Sequence, residues 1–184
     1  LLLWAPVHAS TVLQFNLGEL VRRADHIYRG TVISVTSGSV AIGGGQLPTT
    51  TYRLRVDESF RGEFTEVKGM RIAEIRTLGK LSPVTRGNLR SSVPLPRMPD
   101  LLVGQTYLVM MTRPSGIGLS TTVGLGQGLF RISHVGKDEQ AVNDVNNNGL
   151  FRGMEAPALA RSAAPVGPLT YTDLAARIRG LVAR

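Results

Sequence analysis

The twelve residues from Asp144 to Glu155 follow the pattern D-x-[DN]-x-[DN]-G-x5-E. That spacing lets one loop wrap a calcium ion. Side-chain oxygens of Asp144, Asn146 and Asn148 would converge on the cation, and the Leu150 carbonyl would add a fourth ligand. Gly149 permits the sharp turn, and Glu155 would close the site with two oxygens. Of the four side-chain ligands only Asp144 and Glu155 carry charge, which implies weak affinity. The preceding stretch reads as strand, and Gly153, Ala156 and Pro157 do not suit an exit helix. An Asn-Gly turn accounts for the same residues without an ion, because both types tolerate left-handed backbone. Ca²⁺ is the one cofactor the sequence raises.

The second chemical feature is the stretch 76–99. It carries Arg76, Lys80, Arg86, Arg90 and Arg97 and no acidic residue. Pro83, Pro94, Pro96 and Pro99 speak against regular structure there. Loops of this length are usually functional or disordered. As a surface it suits phosphates, sulfates or uronates, which guanidinium groups bind in pairs of hydrogen bonds. No aromatic residue is interleaved, which argues against base stacking and against sequence-specific nucleic acid. A solvated loop remains the plain alternative.

Catalysis finds little support. A site needs a nucleophile, a base and an orienting group together. Ser133 and His134 are adjacent in a strand, so their side chains leave opposite faces. Asp57-Glu58 and Asp138-Glu139 are neighbours in the same sense, not a facing pair. The glycines at 124, 126 and 128 join strands and open no helix, so they lack phosphate-cradling geometry. His26 beside Asp25 reads as a pair at a helix exit. The sequence thus predicts a protein that is not an enzyme.

The elements that would position these groups are short. Residues 16–24 read as a helix: Asn16 caps it, Glu19 completes a capping box, and Leu17, Leu20, Val21 and Ala24 form the apolar stripe. Residues 26–36 read as a strand with apolar side chains on both faces, hence central, and Gly30 marks a bulge. Gly43-Gly44-Gly45 reads as a mobile connection. Residues 51–60 alternate cleanly, with Tyr52, Leu54, Val56 and Phe60 on one side and Arg53, Arg55 and Asp57 on the other. Further strands are predicted over 70–77, 106–112, 119–125, 129–135 and 140–143. Residues 170–182 read as a closing helix, started by Thr170 and Asp173 and striped by Leu174, Ile178, Leu181 and Val182. Glycine and proline turns at this density indicate a sandwich or barrel.

Composition supports one folded domain. The chain has 184 residues, 42% hydrophobic and 18% charged, with 21 Gly and no Cys. The missing cysteines exclude disulfide frameworks and thiolate chemistry. A net charge of +8 suits polyanionic partners or simple solubility. Residues 1–9 end in Val7-His8-Ala9, a small-x-small cleavage pattern after an apolar run, and read as a signal-peptide remnant. An apolar first strand is the alternative. No 18-residue apolar run is present, so no transmembrane segment is predicted. Residues 10–155 then form the β domain, 156–169 an Ala/Pro-rich linker or arm, and 170–184 a helix packed on it.

Several phrases occur together: Ala24-Asp25, Ile27, Gly30 and Val32; Tyr52 to Val56 with Phe60-Arg61-Gly62; Val103-Gly104 with Tyr107-Leu108; and Gly128 with Phe130. In this order, over roughly 17–151, they resemble a group of exported bacterial β-barrel domains. More loosely they are similar to the oligonucleotide/oligosaccharide-binding barrel of netrin-like and metalloprotease-inhibitor-like modules. These motifs are structural, so the resemblance implies a fold and no catalytic residue. The inhibitor-like modules use an N-terminal Cys and disulfides, which this chain lacks. The expectation is an all-β protein: an antiparallel OB-like barrel with one short helix near each end. Its expected role is an exported binding module for an anionic surface polymer or an envelope protein. The alternative is a subunit of a surface assembly that self-associates through a sheet edge, with or without calcium.

Overall fold

The computed structural model describes residues 13–79, 84–86, 89–91, 98–154 and 166–184. The signal-peptide remnant, and most of the Ala/Pro-rich stretch, lie outside these residues.

Asn16 begins helix α1 (Leu17–Arg23) with both halves of the capping box in place. Its side chain accepts from the Glu19 N–H, and the Glu19 carboxylate accepts from the Asn16 N–H, each at 2.9 Å. Arg61 caps the other end, donating to the carbonyls of Val21 and Ala24. A cation there meets the negative end of the peptide dipoles. Leu17, Leu20 and Val21 are buried, as their spacing predicts.

The strands follow as β1 (His26–Ile42), β2 (Gly45–Arg61), β3 (Thr65–Val67), β4 (Met70–Leu78), β5 (Val84–Arg86), β6 (Leu89–Ser91), β7 (Thr106–Met111), β8 (Leu129–Val135), β9 (Asp138–Asn143) and β10 (Leu169–Thr170). Helix α2 (Tyr171–Val182) closes the chain, capped by the Thr170 hydroxyl. β5 and β6 pair with each other. The rest form one antiparallel sheet in the order β10–β9–β8–β7–β1–β2–β4–β3. The sheet is open, with β10 and β3 at its ends, so the closed barrel expected from the strand density is not established.

β1 is central, as expected, and its register against β2 shifts between Ile27 and Tyr28, beside Gly30 and near Ile33. A Cβ on Gly30 would come within 2.8 Å of the Arg55 carbonyl oxygen, which is why a glycine stands there. β1 and β2 are longer than predicted. The three glycines do not form a loose connection: Gly43 and Gly44 are both left-handed and close a two-residue hairpin turn. Glycine takes that pair of conformations without strain.

Burial divides into two cores, one on each face of the sheet. Helices α1 and α2 cover the first, with Ile27, Leu108, Met110, Phe130, Ile132 and Leu150 beneath them. The second lies under β1, β2, β4 and β7, where Tyr28, Leu54, Ile75, Tyr107 and Val109 meet Met98 and Leu101. Neighbouring residues of β1 and β7 therefore enter different cores. The predicted strand over 119–125 is absent; only Thr122 bridges to Met111. No helix among the described residues is long and apolar enough to cross a membrane.

Charged side chains tie α2 to the sheet. Arg29 of β1 makes two hydrogen bonds to Glu139 of β9, at 2.7 and 2.6 Å, and lies 4.6 Å over the Tyr171 ring. The Tyr171 hydroxyl donates to Glu58 at 2.6 Å, and Arg179 also bonds Glu58. Burial and the adjacent Glu58 carboxylate push the Tyr171 phenol above its ordinary range. The hydrogen bonds from Arg29 hold the Glu139 carboxyl below the ordinary glutamate value of 4.5. A carboxyl depressed by folding stabilises above its unfolded pKa, and that gain is lost as pH falls through the folded pKa. The pair therefore stabilises at neutral pH and stops doing so in the acid range below 4.5. Glu139→Gln is expected to lower the neutral-pH unfolding midpoint and to flatten the acid limb of the stability–pH curve. Acid limbs of equal slope would remove Glu139 from this role.

Candidate functional site

The calcium-like loop begins where β9 ends. Asn146 and Asn147 are both left-handed, at φ +54° and +57°, and Gly149 follows at +71°. The residue that organises the turn is Asn147, which the motif passes over. It is fully buried. Its amide donates to the carbonyls of Ala141 and Gly167 at 3.0 and 2.8 Å. Its side-chain oxygen accepts from the Asn143 N–H, and its own N–H donates to the Asn143 side chain at 2.7 Å. The loop thereby ties β9 to the segment that enters β10.

The expected ligands Asp144, Asn146 and Asn148 all point outward and are exposed. Asp144 packs over Gly126, where a Cβ would meet its carboxylate at 2.7 Å. The Leu150 carbonyl accepts the Leu17 N–H at 2.7 Å, so it serves the first turn of α1. Glu155 lies outside the described residues. Among those residues, no group of three His, Asp or Glu is placed to hold a metal ion.

The basic stretch is anchored at both roots. The Gly79 N–H donates to the Pro48 carbonyl at 2.8 Å, and Met98 and Leu101 are buried in the second core. The expectation of no regular structure is corrected, because Arg86 and Arg90 belong to the β5–β6 hairpin. The prolines bracket that hairpin and do not interrupt it. The sequence Gly87-Asn88 between the strands is a hairpin signature that was legible. Arg76 stands on β4, half exposed, 3.6 Å from Glu74. Lys80 and Arg97 lie outside the described residues.

Between these roots and the segment 112–121 runs a groove of about 440 Å³. Thr77 and Leu78 line it from one root, and Met98 from the other. The opposite wall is Thr112, Arg113, Ser115 and the run Leu119 to Thr121. That wall is shaped by its own hydrogen bonds. The Ser115 N–H donates to Leu119 O at 2.7 Å, and the Gly118 N–H donates back to Ser115 O. Left-handed backbone at Gly118 permits this turn. The segment then joins two strands: Thr112 N–H donates to Thr121 O, and Ser120 N–H donates to Arg76 O at 2.8 Å. Next to Arg76 and Arg113 the groove offers hydroxyls on apolar walls. The sequence reading missed this wall because it carries a single charge.

Thr112 and Ser120 also border a second cavity of about 260 Å³. It holds His26, Tyr28, Phe64, Glu63 and Glu74. His26 meets Phe64 edge-on at 5.6 Å, and Phe64 meets Tyr28 at 5.1 Å. Burial raises the Tyr28 hydroxyl far above the usual phenol range, so it stays neutral. Asp25 lies 2.9 Å from His26 Nδ1 and 3.3 Å from the Arg113 guanidinium. The helix-exit pair foreseen at 25–26 is therefore connected to the groove wall.

A buried Asn with four hydrogen bonds is costly to lose, at about 1–3 kcal/mol per group left unsatisfied. Asn147→Ala is expected to lower the unfolding midpoint by roughly 10 °C or more, equally in Ca²⁺ and in EDTA, while Asn148→Ala changes it little. A midpoint that rises with Ca²⁺ and falls in Asp144→Ala would make the loop an ion site. Set against protein-family profiles, characterised proteins and solved structures, the chain matches none.

Proposed function

We propose that this chain is a non-catalytic, extracytoplasmic binding module for an anionic polymer or an acidic envelope protein. The observation that carries the reading is the groove. Both roots of the basic stretch line it, and Arg113 stands on its far wall. A ligand laid along it would meet Arg113 on its wall and Arg76 beside Thr77. Guanidinium forks match sulfate and carboxylate geometry, and hydroxyls beside them suit sugar oxygens. The export reading rests on the apolar start and cleavage pattern of the sequence.

The same reading includes an oligosaccharide-binding type of barrel. β1, β2 and β4 make a meander, and β7 returns beside β1. The segment 119–122 lies between β7 and β4, hydrogen-bonded to both. It takes the place of the strand that would complete the circle. In that reading the groove would lie on the side of the circle.

The test is retention on immobilised heparin across a salt gradient. The wild type is expected to bind and to elute with salt. Arg76→Ala/Arg113→Ala elutes earlier, and Arg86→Ala/Arg90→Ala/Arg97→Ala earlier still. The slope of log affinity against log salt should fall by roughly 0.7 per arginine removed, as for a flexible polyanion. A wild type that flows through, or variants that elute with it, would overturn the proposal.

A further inference from the structure

We propose that the outer edge of β1, from Ile33 to Ile42, pairs antiparallel with the same edge of a second copy of this chain. The argument starts from the register. β1 and β2 pair with each other as far as Ile42 and Gly45. β7 accompanies β1 only from His26 to Thr31, and Gly104 and Gln105 add hydrogen bonds at Val32. β4 leaves β2 at Thr49. Beyond Val32 no strand among the described residues flanks the outer edge of β1; over 39–42 and 45–48, where β4 has also ended, β1 and β2 continue as a two-stranded arm.

A two-stranded ribbon is marginal in water, and three or more strands are needed for independent stability. Free edges are normally blunted by lysines, other charges or prolines. β2 has Pro48 on its part of the arm, which removes a donor. β1 has a bulge near Ile33, at the root of this edge, and beyond it no Lys, other charge or Pro. From Gly30 to Tyr52 the chain carries no charged residue, its longest uncharged run. Ile33, Val35 and Ile42 are 40–45% exposed along it.

Charge selects the occupant. Two copies at +8 each repel wherever their basic surfaces meet. The uncharged edge is where they approach at least cost. An acidic partner would find no cation there to recognise. A two-fold axis sets the edge against itself, so each residue serves both sides of one interface. The product joins the two sheets edge to edge through β2–β1–β1–β2, which gives the two-stranded tip of each arm the strands it lacks. The groove beside Arg113 is left open, so the pairing is independent of polymer binding.

Sedimentation velocity across a concentration series tests this. The wild type is expected to show a monomer–dimer equilibrium. Ser37→Lys/Ser39→Lys, at exposed strand positions, should lose the dimer boundary at the same concentrations. So should Ser37→Glu/Ser39→Glu, and an equimolar mixture of the two variants should regain it. Amides in 33–42 should gain hydrogen-exchange protection as concentration rises. A wild type that stays monomeric throughout, a lysine variant that dimerises like it, or protection elsewhere than β1 would overturn the proposal.

Discussion

Two adjacent side chains of β1, Ile27 and Tyr28, must be buried at once in two different cores. That demand organises the rest of the protein. A strand apolar on both faces cannot lie at a surface, so each face needs a cover. The helices at the two chain ends supply one. On the other face, Met98 and Leu101 pack against side chains of β1, β2, β4 and β7. β7 repeats the pattern: Leu108 and Met110 turn to one core, and Tyr107, Val109 and Met111 to the other. Burying a single leucine or isoleucine is worth about 1.5–3 kcal/mol, so these paired strands carry much of the stability.

The functional surface follows from the same demand. The second cover is not made of regular strands. Met98 and Leu101, which follow the basic stretch, pack against the face of β1, β2, β4 and β7, and the hooked segment 112–122 borders it by hydrogen bonds to Arg76 and a bridge to Met111. Loops that complete a core are fixed at their roots and free at their exposed sides. Asp25 holds the Arg113 guanidinium and Glu74 stands beside that of Arg76, while backbone hydrogen bonds fix the hydroxyl-bearing wall between them. The charged bridge from Arg29 to Glu139 and the stacking of Arg29 on Tyr171 do the equivalent work on the helical side.

Legibility in the sequence tracked how local each signal was. The Asn16–Glu19 capping box, the alternation of Tyr52, Leu54 and Val56, and the apolar run of β7 are complete within a few residues, and each gave the right element. The Gly43-Gly44 turn was legible as a hairpin signal but was read as slack because three glycines stood together. The strand expected over 119–125 failed for a tertiary reason. Its residues divide their hydrogen bonds between two strands, and Gly124 and Leu125 turn left-handed before the 3₁₀ turn Leu125–Gly128. The loop 144–155 showed its spacing but hid its keystone. Asn147 matters through carbonyls at Ala141 and Gly167, and no pattern of nearby residues reveals them. The groove was the least legible part, since Thr77, Met98 and Arg113 come together only through the fold.

The measurement that bears most directly on the binding role is an amide chemical-shift titration with a size-defined heparin oligosaccharide. This account predicts saturable shifts at Arg76 to Leu78, Met98 and Thr112 to Thr121, with the α1 and α2 faces unmoved. Shifts spread over the whole basic surface, or centred away from the groove, would contradict it.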